Sequence, residues 1–157
     1  MSWFNILLCF HIFSATILFA SGIITAIVMV EAFIRRHPHD MAHSAQRVVK
    51  ADWYMTLPCS IIQSITGIWL VHLMGIPFST CWVLWAIILY SISMILWVIV
   101  VQLQIHIASL TQRCWNNKTP LSPVVWKYFW WWVALGWPTL LCFMAIFWLM
   151  VARPVSL

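Results

Sequence analysis

Charged side chains are scarce in this sequence. Only 7% of the 157 residues are Asp, Glu, Lys or Arg, and just three of them are acidic. A soluble domain carries roughly 25% charged residues because water must solvate its surface. Eight basic and three acidic side chains are too few to cover a water-facing surface of this size. The composition therefore excludes a soluble globular domain and indicates that lipid is the solvent.

The motifs of soluble enzymes are missing as well. The chain has no Walker A, GxGxxG, HExxH or GxSxG sequence, and no apolar stretch holds a pair of carboxylates. The five cysteines show no CxxC spacing and lie mostly in apolar stretches, where a cysteine behaves as a small hydrophobe. We therefore expect neither a disulfide framework nor a soluble-enzyme mechanism.

Apolar residues, in contrast, make up 64% of the chain and form four long stretches. About 20 helical residues cross a hydrocarbon core of about 30 Å. The stretches cover residues 3–34, 53–74, 78–110 and 125–152, and none alternates as a membrane strand would. The sequence therefore predicts an all-α integral membrane protein, a single four-helix transmembrane bundle. A tight outer turn at residues 75–77 would join its second and third helices.

Basic residues predict the orientation of this bundle. Four of them lie in or beside the loop 35–52 and three in or beside the loop 111–124, whereas the opposite side has only Arg153. Loops rich in Lys and Arg stay in the cytoplasm. We therefore expect both loops in the cytoplasm and both termini outside. The same topology explains the net charge of +5 without a nucleic-acid partner.

Ionisable residues inside a span are costly and are candidate sites. His11 lies about 12 Å along the first span at 1.5 Å per residue. Ala15, Leu18, Gly22 and Ala26 fall on nearly the same helical face. Small residues there would let a helix approach closely or leave a slot for a planar group. His11 is therefore either a hydrogen-bonded interior residue or a ligand.

His72 ends the second span in the same predicted leaflet as His11. Two helix-borne imidazoles at similar depth are able to bind one haem iron between them. However, His72 lies about 180° around the helix from Gln63, at 100° per residue, and Gln63 belongs to the polar stripe of that span. His72 could instead reach the headgroups. Both interpretations stay open on the sequence alone.

Other polar or helix-breaking residues have structural explanations. We expect His106 to form a local hydrogen-bonded pair with Gln102, and Asp52 to cap the second span. Pro138 removes a backbone donor in the fourth span and is expected to shape that helix. The histidines of the first loop are interpreted as solvated rather than metal-binding. These are His37, His39 and His43.

Three segments together resemble known families: the early His11 followed by Gly22, the run ADWYMTLPCSIIQSITGIWL, and the closing ALGWPTLLCFMAIFWLMVARP. Over essentially its whole length the chain is similar to a bacterial inner-membrane family named domain of unknown function 2269. The first and last segments also resemble, more distantly, HemJ-type protoporphyrinogen oxidases and the membrane domain of CopD copper-resistance proteins. HemJ proteins bind haem b and pass electrons from a porphyrinogen to the membrane.

The resemblance implies roles for two residues. His11 would contact haem or substrate, and Arg153 would be the closing basic residue that attracts the haem propionates. Arg153 stands where HemJ proteins have Lys, which keeps the charge but changes the donor geometry. In the third span this chain has Gln102, Leu103 and Gln104 in the region where HemJ proteins carry a Tyr-His pair.

The sequence thus leads to one expected function and two alternatives. The expected function is haem b binding, with His11 and His72 as iron ligands, and electron transfer to a quinone or a membrane redox partner. One alternative is a cofactor-free accessory or assembly subunit that packs against other membrane proteins or further copies of itself. The other is copper handling through His11, Cys9, Cys142 and methionines, since soft sulfur ligands suit Cu(I).

The orientation is directly testable. A reporter that is active only in the cytoplasm, fused after Leu157, should be silent, and the same reporter inserted after Asn117 should be active. The reason is the concentration of basic residues in the two loops. Strong activity of the Leu157 fusion would show that the predicted orientation is wrong.

Overall fold

The computed structural model describes residues 2–154, and every regular element in that range is helical. The five α-helices are α1 (Trp3–Arg35), α2 (Pro38–Ala51), α3 (Leu57–Leu73), α4 (Cys81–Asn116) and α5 (Pro123–Ala152). A π-helical turn, Asp52–Thr56, joins α2 to α3 without a break. Four helical segments are long and apolar enough to cross a membrane: Trp3–Arg35, Pro38–Leu73, Cys81–Asn116 and Pro123–Ala152. The predicted all-α, four-helix architecture is confirmed.

The first predicted loop is mostly helical. Only Arg36 and His37 separate α1 from α2, and α2 begins at Pro38. Proline suits the first position of a helix because its missing N–H would have no partner there. The sequence of this segment predicts a short helix over residues 41–50, capped by Asp40 after a non-helical start at Pro38. The helix is present, but the non-helical start is wrong, since Pro38 already belongs to the helix. Helix α2 is amphipathic, and it buries Met41, Ala42, Ala45 and Val48 against the bundle.

Asp52 does not cap the second span, contrary to expectation. It lies inside one continuous helix, where α2 passes into the π-helical turn, and only 5% of its surface is exposed. An N-cap requires a residue outside helical geometry, whereas here the chain is already helical on both sides. π-Helical turns are frequent at functional sites.

The helices pack in a definite order. α1 lies against α2, the π-helical turn and α3, while α4 lies against α2 and α5. We call the end of the bundle near residues 74–80 the turn end, and the opposite end, with residues 36–37 and 117–122, the loop end. The turn between α3 and α4 is longer than the predicted three residues. It uses Gly75 at a φ of 64°, a left-handed conformation that favours glycine.

An apolar cluster closes the loop end. The rings of Phe33 and Phe129 stack there with centroids 4.1 Å apart. The buried members of this loop-end cluster come from α1, α2, α4 and α5, and they are Met29, Phe33, Met41, Ala45, Val48, Ile107, Ala108, Val125, Phe129 and Trp132. The cluster joins all four spanning segments at one level of the bundle.

Helix α5 runs unbroken through Pro138. The proline has no N–H to give to the carbonyl of Ala134, one turn earlier. One residue later, the hydroxyl of Thr139 donates to the carbonyl of Leu135 at 3.0 Å. Neighbouring Ser and Thr side chains are a common way to accommodate proline in membrane helices. The effect of Pro138 on the helix axis stays a prediction.

Candidate functional site: the polar column between α1 and α3

One face of the α2–α3 segment carries a polar residue at every turn. The spacings are four, four, three and three residues, so the side chains follow one another along a single helical face. The facing side of α1 is polar as well. We call the two facing sets the polar column: Asp52, Thr56, Ser60, Gln63 and Thr66 on one side, and His11, Ser14, Ser21 and Thr25 on α1.

His11 occupies the turn end of the polar column and uses both of its ring nitrogens. Its Nδ1 lies 2.9 Å from the hydroxyl oxygen of Thr66, and its Nε2 lies 3.0 Å from the amide nitrogen of Gln63. The Gln63 amide oxygen accepts a hydrogen bond of 2.6 Å from the hydroxyl of Ser14. The Thr66 hydroxyl donates its own hydrogen to the carbonyl of Ile62.

This network assigns the tautomer of His11. Because the Gln63 oxygen accepts from Ser14, the Gln63 amide nitrogen faces the ring and donates to Nε2. Because Thr66 gives its hydrogen to Ile62, its oxygen is free to accept from Nδ1. A neutral imidazole has one donor and one acceptor nitrogen. His11 therefore fits here as the neutral form with its proton on Nδ1.

Glycine makes room for this ring, but not the glycine that the sequence indicated. A Cβ added to Gly67 of α3 would lie only 3.1 Å from Cε1 of His11, so the imidazole packs directly on the α3 backbone. Gly22, which was expected to line the His11 slot, has open space around it. The buried face of α1 contains Ser14, Leu18 and Ser21 instead.

The structure does not bring the two predicted iron ligands together. His72 is exposed on the outside of α3, in a shallow groove that Ile65, Ile68 and Trp69 also line. His11 contacts the opposite side of the same helix, and neither of its ring nitrogens is free. For His11 to bind iron, its ring would have to give up Gln63 or Thr66. Haem binding by His11 and His72 stays a prediction.

Arg153 lies at the turn end and is exposed. Its guanidinium carbon is 5.8 Å from the ring centroid of Trp82, and its Nε donates to the carbonyl of Met150. A cation over an indole ring is a recurrent and weakly stabilising contact. The predicted role of Arg153 toward haem propionates is not tested by this arrangement.

The other candidate ligands remain separate. Within residues 2–154, no three His, Cys, Asp or Glu side chains are grouped so that they could hold a metal ion. Cys9 is exposed, and Cys142 is half-buried on another helix. The expected local pairing of His106 is confirmed, since its Nδ1 lies 2.7 Å from the backbone carbonyl of Gln102.

Asp52 occupies the other end of the polar column. Its Oδ1 accepts hydrogen bonds from the Thr56 hydroxyl at 2.8 Å and from the indole N–H of Trp97 at 3.4 Å. The Thr56 hydroxyl also lies 3.2 Å from that of Ser21 on α1. The second carboxyl oxygen, Oδ2, is buried without a protein partner.

No basic side chain forms an ion pair with Asp52 among the described residues. In the part of the chain that the structure describes, ion pairs join only Glu31 to Arg35 and His39 to Asp40. Sequence reasoning missed this residue because an acidic residue before an apolar stretch resembles a helix cap. The sequence does contain one indication that Asp52 is an interior acid rather than part of a surface ion pair. No Lys or Arg stands three or four residues away from it on either side.

Helix α4 adds a hydroxyl to the middle of the polar column. The Tyr90 hydroxyl donates to the carbonyl of Ser60 at 2.8 Å, and the Ser64 hydroxyl donates to Tyr90 at 3.3 Å. The interior between His11 and Asp52 therefore contains groups that both donate and accept hydrogen bonds.

The comparison with known families decides the class of this protein. Residues 5–154 match the model of a family described as "Predicted integral membrane protein (DUF2269)". The chain belongs to this family. The predicted resemblance to this family is thereby confirmed, and the protein is an integral membrane protein with four spans. No curated protein and no solved structure matches the chain.

The assigned tautomer gives a prediction for this DUF2269 protein. Nitrogen NMR of the histidine side chains should show His11 as neutral imidazole protonated at Nδ1, and Gln63→Leu should shift its Nε2 signal because that nitrogen loses its donor. Because Gln63→Leu removes the interhelical bonds to both His11 and Ser14, stability should also fall, by about 0.6 kcal/mol on average for each bond. Gln102→Leu is the matched control, since His106 bonds to the backbone there. An unchanged His11 signal in Gln63→Leu would contradict the assignment.

Proposed function

We propose that this membrane protein transfers protons along the polar column between His11 and Asp52. The observation that supports this is the buried, unaccompanied carboxyl of Asp52. Ser, Thr and Gln side chains suffice to hold membrane helices together by hydrogen bonds. A carboxyl is far more costly inside a bundle, and intramembrane acids typically mark proton or ion pathways. Packing alone gives no reason for Asp rather than Asn at this position.

The length of the polar column suits such a role. From residue 52 to residue 66 a helix rises about 21 Å at 1.5 Å per residue, out of a hydrocarbon core of about 30 Å. Its members are hydroxyls, an amide and an imidazole, and each of these groups donates and accepts hydrogen bonds. Proton relay requires this dual capacity at each step.

The two ends of the polar column differ. At the turn end, His11 is half-buried and close to the start of α1. Beyond Asp52, the stacked rings of Phe33 and Phe129 belong to the loop-end cluster of buried apolar side chains. We propose that protons enter at the turn end and reach Asp52, and that passage beyond it requires the cluster to open. With the orientation proposed from the basic loops, entry is from the outer side of a bacterial inner membrane.

Proton transfer is measurable in proteoliposomes that contain a pH-sensitive dye. After an acid pulse with valinomycin and K⁺ present, wild-type protein should acidify the lumen faster than protein-free vesicles do. Asp52→Asn removes the titrating group and should slow this step by about a hundredfold or more, the lower end of the range for a positioned general acid or base.

Asp40→Asn is the matched control, because Asp40 is exposed on α2 and lies outside the polar column. It should keep the wild-type rate. Equal rates for wild type and Asp52→Asn, or a wild-type rate no faster than that of empty vesicles, would reject proton transfer. The protein would then be better explained as an accessory subunit that packs against a membrane partner.

Haem b binding with electron transfer to a quinone is a second candidate. The observation that favours it is the position of His11, which lies inside the bundle and is held by two side chains rather than by backbone groups. If the proposal is right, protein produced with ample haem should show a Soret band and a reduced-minus-oxidised difference spectrum. His11→Ala should abolish both, whereas His106→Ala should not. A colourless wild-type protein would rule this candidate out.

A further inference from the structure

A groove between α2 and α4 opens to the surface near the loop end, with a volume of about 390 Å³. Gln46, Val49 and Lys50 line it from α2, and residues three or four apart between Ile105 and Asn116 line it from α4. Side chains at these spacings share one face of a helix. Sites for small molecules typically measure about 300–1,000 Å³. The groove is therefore large enough for a ligand, and it lies outside the polar column.

The groove is positively charged. Lys50 and Arg113 line it, and neither forms an ion pair within residues 2–154. The chain has three acidic residues, and none of them lines the groove. Glu31 and Asp40 contact partners on their own helices, and Asp52 is buried in the polar column. The charges of Lys50 and Arg113 are thus available to an anionic ligand.

Three amide side chains add hydrogen-bond donors to this groove. Gln46 Nε2 donates to Gln112 Oε1 at 2.9 Å, and Gln112 Nε2 donates to Asn116 Oδ1 at 2.9 Å. The two accepting oxygens are therefore occupied, whereas each amide nitrogen carries two hydrogens and uses at most one of them in these two bonds. The remaining N–H groups and the two cations give the groove an excess of donors, which suits phosphate oxygens.

The charged part of the groove lies at the level of lipid headgroups. The continuous helical segment Pro38–Leu73 rises about 35 Å from Leu73 to Lys50, at 1.5 Å per residue. The hydrocarbon core measures about 30 Å, so Lys50 lies just beyond it when Leu73 is at its other edge. On α4, Ile105 and Ala108 line the groove closer to the turn end than Arg113 does. A free phosphate would leave this apolar lining uncovered, whereas a lipid has an acyl chain to cover it.

We infer that this groove binds the phosphate group of an anionic phospholipid. Lys50 and Arg113 pair with the phosphate oxygens, and an acyl chain lies against Ile105 and Ala108. Basic pockets between membrane helices bind anionic headgroups in this way. A choline headgroup would bring a third cation to Lys50 and Arg113, so a zwitterionic lipid binds less tightly. The site is independent of the proposed proton transfer, because it shares no residue with the polar column.

Native mass spectrometry of the detergent-purified protein measures the affinity for the first bound lipid. The probes are phosphatidylglycerol and phosphatidylcholine with the same acyl chains. We expect wild-type protein to bind phosphatidylglycerol at least about fivefold more tightly, which is the contribution of one basic residue near an anionic lipid surface. The double variant Lys50→Gln with Arg113→Gln should bind the two lipids equally.

The double variant Arg47→Gln with Lys127→Gln is the matched control. It also removes one Arg and one Lys, from exposed positions on α2 and α5 that do not line the groove. It should keep the wild-type preference. An excess of soluble sn-glycerol 3-phosphate should not displace the bound phosphatidylglycerol, because it has no acyl chain.

Three results would overturn the inference. Equal affinity of wild-type protein for the two lipids would show that the groove does not select an anionic headgroup, and this comparison needs no variant. Equal loss of the preference in both double variants would show a general attraction to the net charge of the protein. Displacement of phosphatidylglycerol by sn-glycerol 3-phosphate would show that the ligand is a soluble phosphate ester.

Discussion

A polar group that leaves water for lipid must find its partner inside the protein, and the bundle is arranged around this requirement. His11 meets it completely. Gln63 and Thr66 bond its two ring nitrogens, Ser14 orients the Gln63 amide, and Gly67 lets the ring approach the backbone. These contacts join α1 to α3 and depend on one another. Together they fix the rotation of the two helices relative to each other.

The carboxyl group of Asp52, in contrast, is only partly hydrogen-bonded. One carboxyl oxygen has two donors, while the other has none from the protein. The continuous helix from α2 through the π-helical turn places this acid in the interior rather than at a helix end. This unmet acceptor on a buried acid supports the proposed proton transfer.

The sequence predicted the four spans because these stretches are too apolar to lie in water and long enough to cross a bilayer. It was less successful with α2, since a helix was expected only over residues 41–50, within a polar loop, whereas α2 begins at Pro38. The signal for a helix was present in the spacing of Met41, Ala45 and Val48. An amphipathic helix that packs beside the membrane spans has the overall composition of a loop, and only its periodicity separates the two.

What the sequence alone determined is the class of the protein: an all-α integral membrane protein with four spans, in which His11 is an unusual interior residue. Only the tertiary structure decided which residues meet. It placed His11 against Gln63 rather than near His72, and it made Asp52 an interior acid bonded to Thr56 and Trp97. Hydropathy selects the solvent of a helix, but its rotation about its own axis is set by contacts with its neighbours. Those contacts come from residues far apart in the chain, so the sequence of one span does not show which residues of another span it contacts.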